Sequence, residues 1–179
     1  WKNGILEAQL NNNQLVVQQF KLQGGDGHLS GAGTLGVNLD NPELKFKLNA
    51  DKFMAISRPD RQLVASGVGR VDIANKKIVI NAQLKADKGW INLSSNERPT
   101  LGSDVLIQET SEKTAKKKAY SFPTALDLQF DLGNDFITKG GGIDANLEGR
   151  LRLRINPGAA TQTVGNIAIT KGTYLAYGQ

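Results

Sequence analysis

The chain has 179 residues and a formal net charge of +5, which permits an acidic partner but is also common on soluble surfaces. It has no Cys and one His, which excludes disulfides, thiolate metal sites, Cys nucleophiles and two-His metal sites. Hydrophobic residues make up 39%, enough for a sizeable core, and no run of about 18 apolar residues or signal peptide is recognisable.

Apolar and polar residues alternate along most of the chain, with the period of two that is typical of β-strands. In chain order, the clearest alternating segments are 6–10, 29–39, 44–50, 78–86, 126–132 and 143–155. Turn-forming stretches separate them, including NNN, DNPE, ANKK, DKG, GND, GGG and NPG. We count roughly ten or eleven segments, which predicts an all-β, antiparallel protein with one apolar side and one polar side.

Segment 143–155, IDANLEGRLRLRI, is the longest and sorts its two faces without exception. Its odd positions are aliphatic, Ala or Gly, and its even positions are polar or charged. A strand of this length reaches about 43 Å at about 3.3 Å per residue, so we expect an elongated sheet.

The polar positions of this segment include Arg150, Arg152 and Arg154. If segments 125–132 and 143–155 pair, Asp127 and Asp131 lie across from this row of arginines. We interpret these charges as cross-strand pairs that fix the register of the sheet, in preference to a ligand site.

Five segments share a Gly followed by two aliphatic residues on the same face. These glycines are Gly33, Gly69, Gly89, Gly149 and Gly165. The pattern predicts bends, bulges or close backbone approach at similar places, although Gly is also simply abundant in β proteins.

Alternation fades between residues 94 and 123, where charge clusters. We expect a long mobile loop there, with a short strand at SDVLIQ, inside a single β domain that spans 1–179. The basic run Lys113 to Lys118 fits a solvated loop better than nucleic-acid binding, since it lacks an aromatic platform; contact with anionic lipid headgroups is a second interpretation. The abrupt start at Trp1 and the stop within a strand-like pattern lead us to expect a fragment of a longer chain.

No arrangement of residues that supports catalysis is recognisable. His28 lies among glycines without a Ser or Asp at triad spacing, and Asp127 and Asp131 lie on the polar side of their segment. We therefore expect no enzyme activity, no catalytic residue, no metal and no cofactor. Periodicity alone leaves open whether the apolar side is a closed core or an open trough that holds acyl chains or an unfolded apolar strand.

The C-terminal part of the chain resembles the C-terminal region of TamB, in the AsmA-like family of envelope proteins. The matching stretches are FITKGGGIDANLEGRLRLRI and VGNIAITKGTYLAYGQ, within residues 136–179, and GTYLAYGQ is the most specific of them. The resemblance implies an elongated antiparallel sheet that is folded on itself, taco-like, around an open hydrophobic groove. It also implies a periplasmic location, in a parent protein anchored in the inner membrane of a two-membrane bacterium.

By the same resemblance, the parent works with a TamA-like outer-membrane barrel, in outer-membrane protein assembly or in phospholipid transfer between membranes. The groove would shelter phospholipid acyl chains or nascent outer-membrane β-strands. The residues expected to line it are Leu35, Val37, Leu44, Phe46, Leu48, Val71, Ile73, Ile78, Ile80, Leu84, Leu126, Leu128, Phe130, Leu147, Leu151, Leu153, Ile167 and Ile169. The alternative is a structural or adhesive β domain with a closed core and no cargo.

Overall fold

The computed structural model describes residues 2–38, 41–93 and 122–175. These residues form ten β-strands and no helix. The strands are β1 (Lys2–Asn11), β2 (Gln14–Gly24), β3 (Gly27–Gly36), β4 (Leu44–Arg58), β5 (Arg61–Ala74), β6 (Lys77–Asn92), β7 (Thr124–Asp131), β8 (Phe136–Gly140), β9 (Ile143–Ile155) and β10 (Gln162–Tyr174).

All ten strands belong to one sheet, in the order β1-β2-β3-β4-β5-β6-β7-β9-β10, with β8 also pairing with β6 and β9. This arrangement confirms the prediction of an all-β fold built mainly from antiparallel pairs. Two pairs differ from it, because β7 and β8 both run parallel to β6. A parallel pair needs a long connection, and residues 93–123 between β6 and β7 are sufficient for it.

Short turns join the first strands, as their composition predicts. Asn12 and Asn13 between β1 and β2, and Asn75 and Lys76 between β5 and β6, all have positive φ. Two successive residues of positive φ form the tight turn whose twist matches that of paired strands. Antiparallel hairpins follow directly from this turn chemistry.

Strands β7 and β8 behave as one interrupted strand, since both lie between β6 and β9 with the gap 132–135 between them. Neighbouring strands are irregular at the same level. The register shifts between Ala50 and Phe53 in β4, and opposite the step from Val64 to Ala65 in β6. We call this row of irregularities the bulge line. Bulges bend the strands that carry them, so a bend of the sheet is expected here.

Hydrogen bonds tie the bulge line together. The backbone N–H of Lys52 donates to Ser66 Oγ at 2.9 Å, and the Ser66 hydroxyl donates to Asp87 Oδ2. Farther along the line, the N–H of Leu132 donates to the carbonyl of Gly149 at 2.9 Å. The irregular backbone is therefore partnered at these positions, as backbone groups shielded from water require.

Most of the buried apolar residues lie on the bulge line, and Ala145 lies in the row that contains Arg61 and Ile91. In the described part of the chain the buried apolar residues are Phe53, Ala65, Ala86, Leu132 and Ala145. Three of the five are Ala, and none of the described large side chains is fully buried. The zone of the sheet that is shielded from solvent is therefore narrow, and most apolar side chains of the sheet are only partly covered.

One segment predicted from the sequence lies largely outside the residues that the structure describes. Of the predicted loop 94–123, residues 94–121, with the SDVLIQ strand and the Lys113 to Lys118 run, lie outside the described residues. Within the ranges described, no helix has the length and hydrophobicity needed to cross a membrane.

Candidate functional site

Register places the predicted lining residues in straight rows that cross the sheet. Residues directly opposite each other in paired strands lie on the same face. One row passes from Phe46 through Val71 and Ile80 to Leu126. Three further rows contain Leu35, Leu44, Ile73 and Ile78; then Leu48, Leu128 and Leu153; then Leu84, Phe130 and Leu151. We call the side of the sheet that carries these rows the apolar face.

The remaining predicted residues lie at the margins of these rows. Leu147 and Ile169 are opposite each other beyond the bulge line, and Ile167 lies opposite Gly149. Val37 follows the end of β3, and its N–H donates to the carbonyl of Asn13 at 3.0 Å.

None of the predicted lining residues is buried by the rest of the chain. Most are half-buried, and four are exposed: Leu35 at 37%, Val37 at 42%, Ile167 at 52% and Ile169 at 67%. Phe46 meets Phe20 edge-on on this face, with ring centroids 6.4 Å apart. The apolar side chains thus support one another laterally while part of their surface stays accessible.

In the part of the apolar face beyond the bulge line, sequence reasoning found Leu147 and Ile169 but missed Ile56, Leu63 and Phe136. There the register aligns Ile56, Leu63, Phe136 and Leu147 in one row, through Gly89. Two bulges each insert one residue, so the apolar positions of β4 change from even to odd at Phe53 and back to even at Ile56, and the simple alternation is lost. That change of parity was the available signal.

The opposite side of the sheet, which we call the polar face, carries the charged pairs that the sequence predicts. Strands β7 and β9 pair antiparallel, with Asp127 opposite Arg154 and Asp131 opposite Arg150. Arg150 Nε lies 2.9 Å from Asp131 Oδ2, and Arg152 donates two hydrogen bonds to Asp127, at 2.8 and 2.6 Å. The predicted pairing of these segments and their charges is confirmed.

Neighbouring groups lower the pKa of both aspartates, Asp127 and Asp131. The hydrogen bond from Arg152, aided by the charges of Arg152 and Arg154, lowers the pKa of Asp127 against the opposing effect of desolvation. The backbone N–H of Gly133, followed by Arg150, lowers the pKa of Asp131. Carboxylates held ionised in this way are poor general acids at neutral pH.

The five glycines singled out in the sequence do not share one role. A Cβ built at Gly89 would lie 2.6 Å from the ring of Phe136, and Gly149 and Gly165 have φ of 149° and 152°. Gly69, by contrast, has ordinary space, with its nearest neighbour at 3.9 Å. Close backbone approach occurs two residues earlier, at Gly67, where φ is 150° and a Cβ would lie 2.9 Å from Leu84 Cα.

Two open hollows, of about 530 and 650 Å³, lie between rows of long polar side chains. Lys85, Arg150 and Arg152 contribute to the first, and Lys47 and Arg70 to the second. These charged side chains belong to the polar face, so we interpret the hollows as open trenches between neighbouring rows of that face. Within the described ranges, no three His, Asp or Glu side chains are grouped to hold a metal ion.

Comparison with known proteins gives one match. A family model described as the TamB C-terminal domain matches residues 18–179. Searches of the curated proteins and of the solved structures gave no match.

Proposed function

The chain belongs to the TamB C-terminal domain family, and from this membership we propose that its apolar face shelters apolar cargo in transit through the bacterial envelope. The family consists of non-enzymatic components of envelope assembly and transport, with a role in outer-membrane biogenesis. The finer proposal is a periplasmic groove module, in a parent protein anchored in the inner membrane, that accepts phospholipid acyl chains.

The partial exposure of the aligned apolar rows is the observation that carries this proposal. Each CH₂ removed from water contributes about 0.8 kcal/mol to the free energy of binding. An acyl chain on these rows would be stabilised by burial of its own surface and of the half-exposed side chains beneath it. The rows cross strands spaced about 4.8 Å apart, which gives a continuous apolar path without a fixed binding register. Transfer along such a path needs no nucleophile, metal or cofactor.

A second cargo, a nascent outer-membrane β-strand, is favoured by β10. This strand forms one edge of the described sheet, and all of its residues are exposed. An unpaired edge offers backbone N–H and C=O groups to an added strand. In this proposal, delivery to a TamA-like barrel belongs to the parent protein.

Photo-crosslinking at matched positions on the two faces tests the proposal. Crosslinkers at Phe46, Leu128 and Leu151 should capture phospholipid or barrel precursors in cells, and the captured species identifies the cargo. Their polar-face neighbours Lys47, Gln129 and Arg152 serve as controls, because each is one residue away and points to the other side. Absence of cargo at the apolar positions, or equal capture on both faces, would contradict the groove.

A further inference from the structure

The hairpin between β4 and β5 ends in two arginines that lie directly opposite each other. Arg58 pairs with Arg61 in register, across the two-residue turn of Pro59 and Asp60. Like charges at directly opposed positions, with Cβ atoms about 5 Å apart, destabilise a strand pair. A counter-charge beside the two arginines would relieve this repulsion.

The described residues supply little of that counter-charge. Arg61 Nε lies 3.7 Å from Asp60 Oδ2, a long contact between side chains that are 45% and 34% exposed. No ion pair of Arg58 is found among the described residues, and both arginines are exposed. Among the described residues, most of their N–H donors therefore have no anionic acceptor.

Register puts both arginines on the apolar face. Along β5, Arg61 has the same parity as Leu63 and Ala65, and Arg61 lies opposite Ile91 of β6. Exposure falls steadily inward from the hairpin tip: Arg61 is exposed, Leu63 is half-buried, and Ala65 and Phe53 are buried at the bulge line. The tip therefore has two cations at its rim and an apolar wall immediately behind them.

The rim is also held in place by backbone contacts. The N–H of Asn92 in β6 donates to the carbonyl of Asp60 at 2.8 Å, which fixes the turn against the neighbouring strand. Two guanidinium groups carried side by side on this turn suit the oxygen geometry of a phosphate, and each charge-assisted bond to it is stronger than a neutral one.

We propose that Arg58 and Arg61 bind the phosphate of an anionic phospholipid whose acyl chains lie on the adjoining apolar face, at Leu63 and the rows behind it. This inference rests on the proposed function and adds a selectivity to it. The charge complementarity of the arginine pair favours an anionic headgroup over a zwitterionic one with the same acyl chains.

A lipid-extraction assay tests the proposal with the full 179-residue chain. The protein is incubated with vesicles of phosphatidylglycerol and phosphatidylcholine in equal amounts, repurified, and its bound lipids are quantified. We expect the bound ratio to favour phosphatidylglycerol about tenfold, because the choline ammonium of phosphatidylcholine is repelled by the arginine pair whereas the glycerol headgroup leaves the phosphate charge uncompensated. The double variant R58Q/R61Q should return the ratio to that of the vesicles while the total amount of bound lipid is unchanged.

Two further variants keep the test specific. R58K/R61K keeps both charges and should retain several-fold selectivity. R70Q/R150Q removes the same charge from the polar face and should retain the full selectivity. R61Q alone should leave the melting temperature unchanged or raise it, because it relieves an opposed pair of like charges.

The outcomes separate the two proposals. Lipid recovered by the wild type in the vesicle ratio, or equal loss of selectivity in R70Q/R150Q, would overturn the arginine site and leave the groove standing. Recovery of no lipid at all would overturn the groove and the arginine site together. Displacement of phosphatidylglycerol by an equal concentration of inorganic phosphate would overturn the site as a lipid site, since free phosphate would then suffice.

Discussion

Asp127 shows how single residues fix this sheet. It lies opposite Arg154 across β7 and β9, and it accepts two hydrogen bonds from Arg152, at the neighbouring position of the same face. A slip of one residue in either strand would turn these charges toward the apolar face, so the pairs specify register as well as adding stability. The sequence predicted this arrangement because the Asp and Arg positions have matching parity in two clearly alternating segments.

The charged pairs between the aspartates of β7 and the arginines of β9, which we call the arginine ladder, are sensitive to acid because the pKa of Asp127 is lowered. A carboxyl whose folded pKa lies below its unfolded value contributes stability above the ordinary value near 3.8 and loses it as pH falls through the folded pKa. We therefore expect Asp127→Asn to lower the urea midpoint slightly at neutral pH, with the difference from wild type vanishing below the folded pKa. Urea titrations of the variant and the wild type, from neutral pH down to below the folded pKa, measure this difference in midpoint.

Asp51→Asn, which removes an exposed carboxylate of β4, controls for the loss of charge alone. Identical pH profiles for the two variants would contradict the role of the arginine ladder. Raised salt should reduce the Asp127 effect, because exposed charge pairs are screened.

At the scale of the element, the observed strands agree with the apolar–polar alternation of the sequence wherever no bulge interrupts them. Segment 143–155 was predicted as one strand and is observed as β9 with the same bounds. Two bulges move the apolar positions of β4 to an odd number at Phe53 and back to an even number at Ile56, and both residues were missed as apolar-face residues. Local alternation cannot foresee an inserted residue, since the bulge is stabilised by contacts with distant strands, such as that of Lys52 with Ser66.

Strand β5 offers a matched test of the bulge line, because Gly67 and Gly69 lie two residues apart on the same face. At Gly67, φ of 150° is unfavourable for any side chain and a Cβ would meet the backbone of β6. We expect Gly67→Ala to destabilise the fold by about 1–3 kcal/mol. Gly69→Ala should be neutral or stabilise by about 0.4–1 kcal/mol, since the space there is ordinary and the unfolded chain loses freedom.

Chemical denaturation of the two variants measures this difference directly. Equal free energies of unfolding would mean that the backbone at Gly67 can relax without cost, and would contradict a bulge line held rigid by its neighbours.

At the scale of the whole molecule, all-β class and antiparallel pairing followed from periodicity and turn chemistry, whereas the parallel pairs of β6 did not. Periodicity describes the two faces of a strand but says nothing about which strand lies beside it. For the same reason it left open how far the apolar face is covered. The structure gives a narrow buried zone of small residues around Ala65 and Ala86, flanked by half-exposed rows.

Charge insertion distinguishes these two zones across the whole fold. Ala86 is 1% exposed, so Ala86→Asp buries an unpaired charge and should cost more than about 4 kcal/mol or prevent folding. Leu128 is half-buried, and Leu128→Asp should cost only about 1–3 kcal/mol while abolishing capture of cargo. Gln129→Asp, on the polar face, should change neither. Unfolding by Leu128→Asp as complete as that by Ala86→Asp would favour the closed-core alternative.

The parallel placement of β7 against β6 has a consequence for how the chain reaches its native state. Strands β1 to β6 are joined by short connections and form a meander of nearest neighbours, so they can assemble early and rapidly. Pairing of β7 with β6 must bridge residues 93–123, and because bringing distant parts of a chain together has an entropic cost, we expect strands β7 to β10 to attach afterwards, along the free side of β6. We therefore expect a transient half-sheet with β6 unprotected, a stage at which a holding chaperone would prevent intermolecular association.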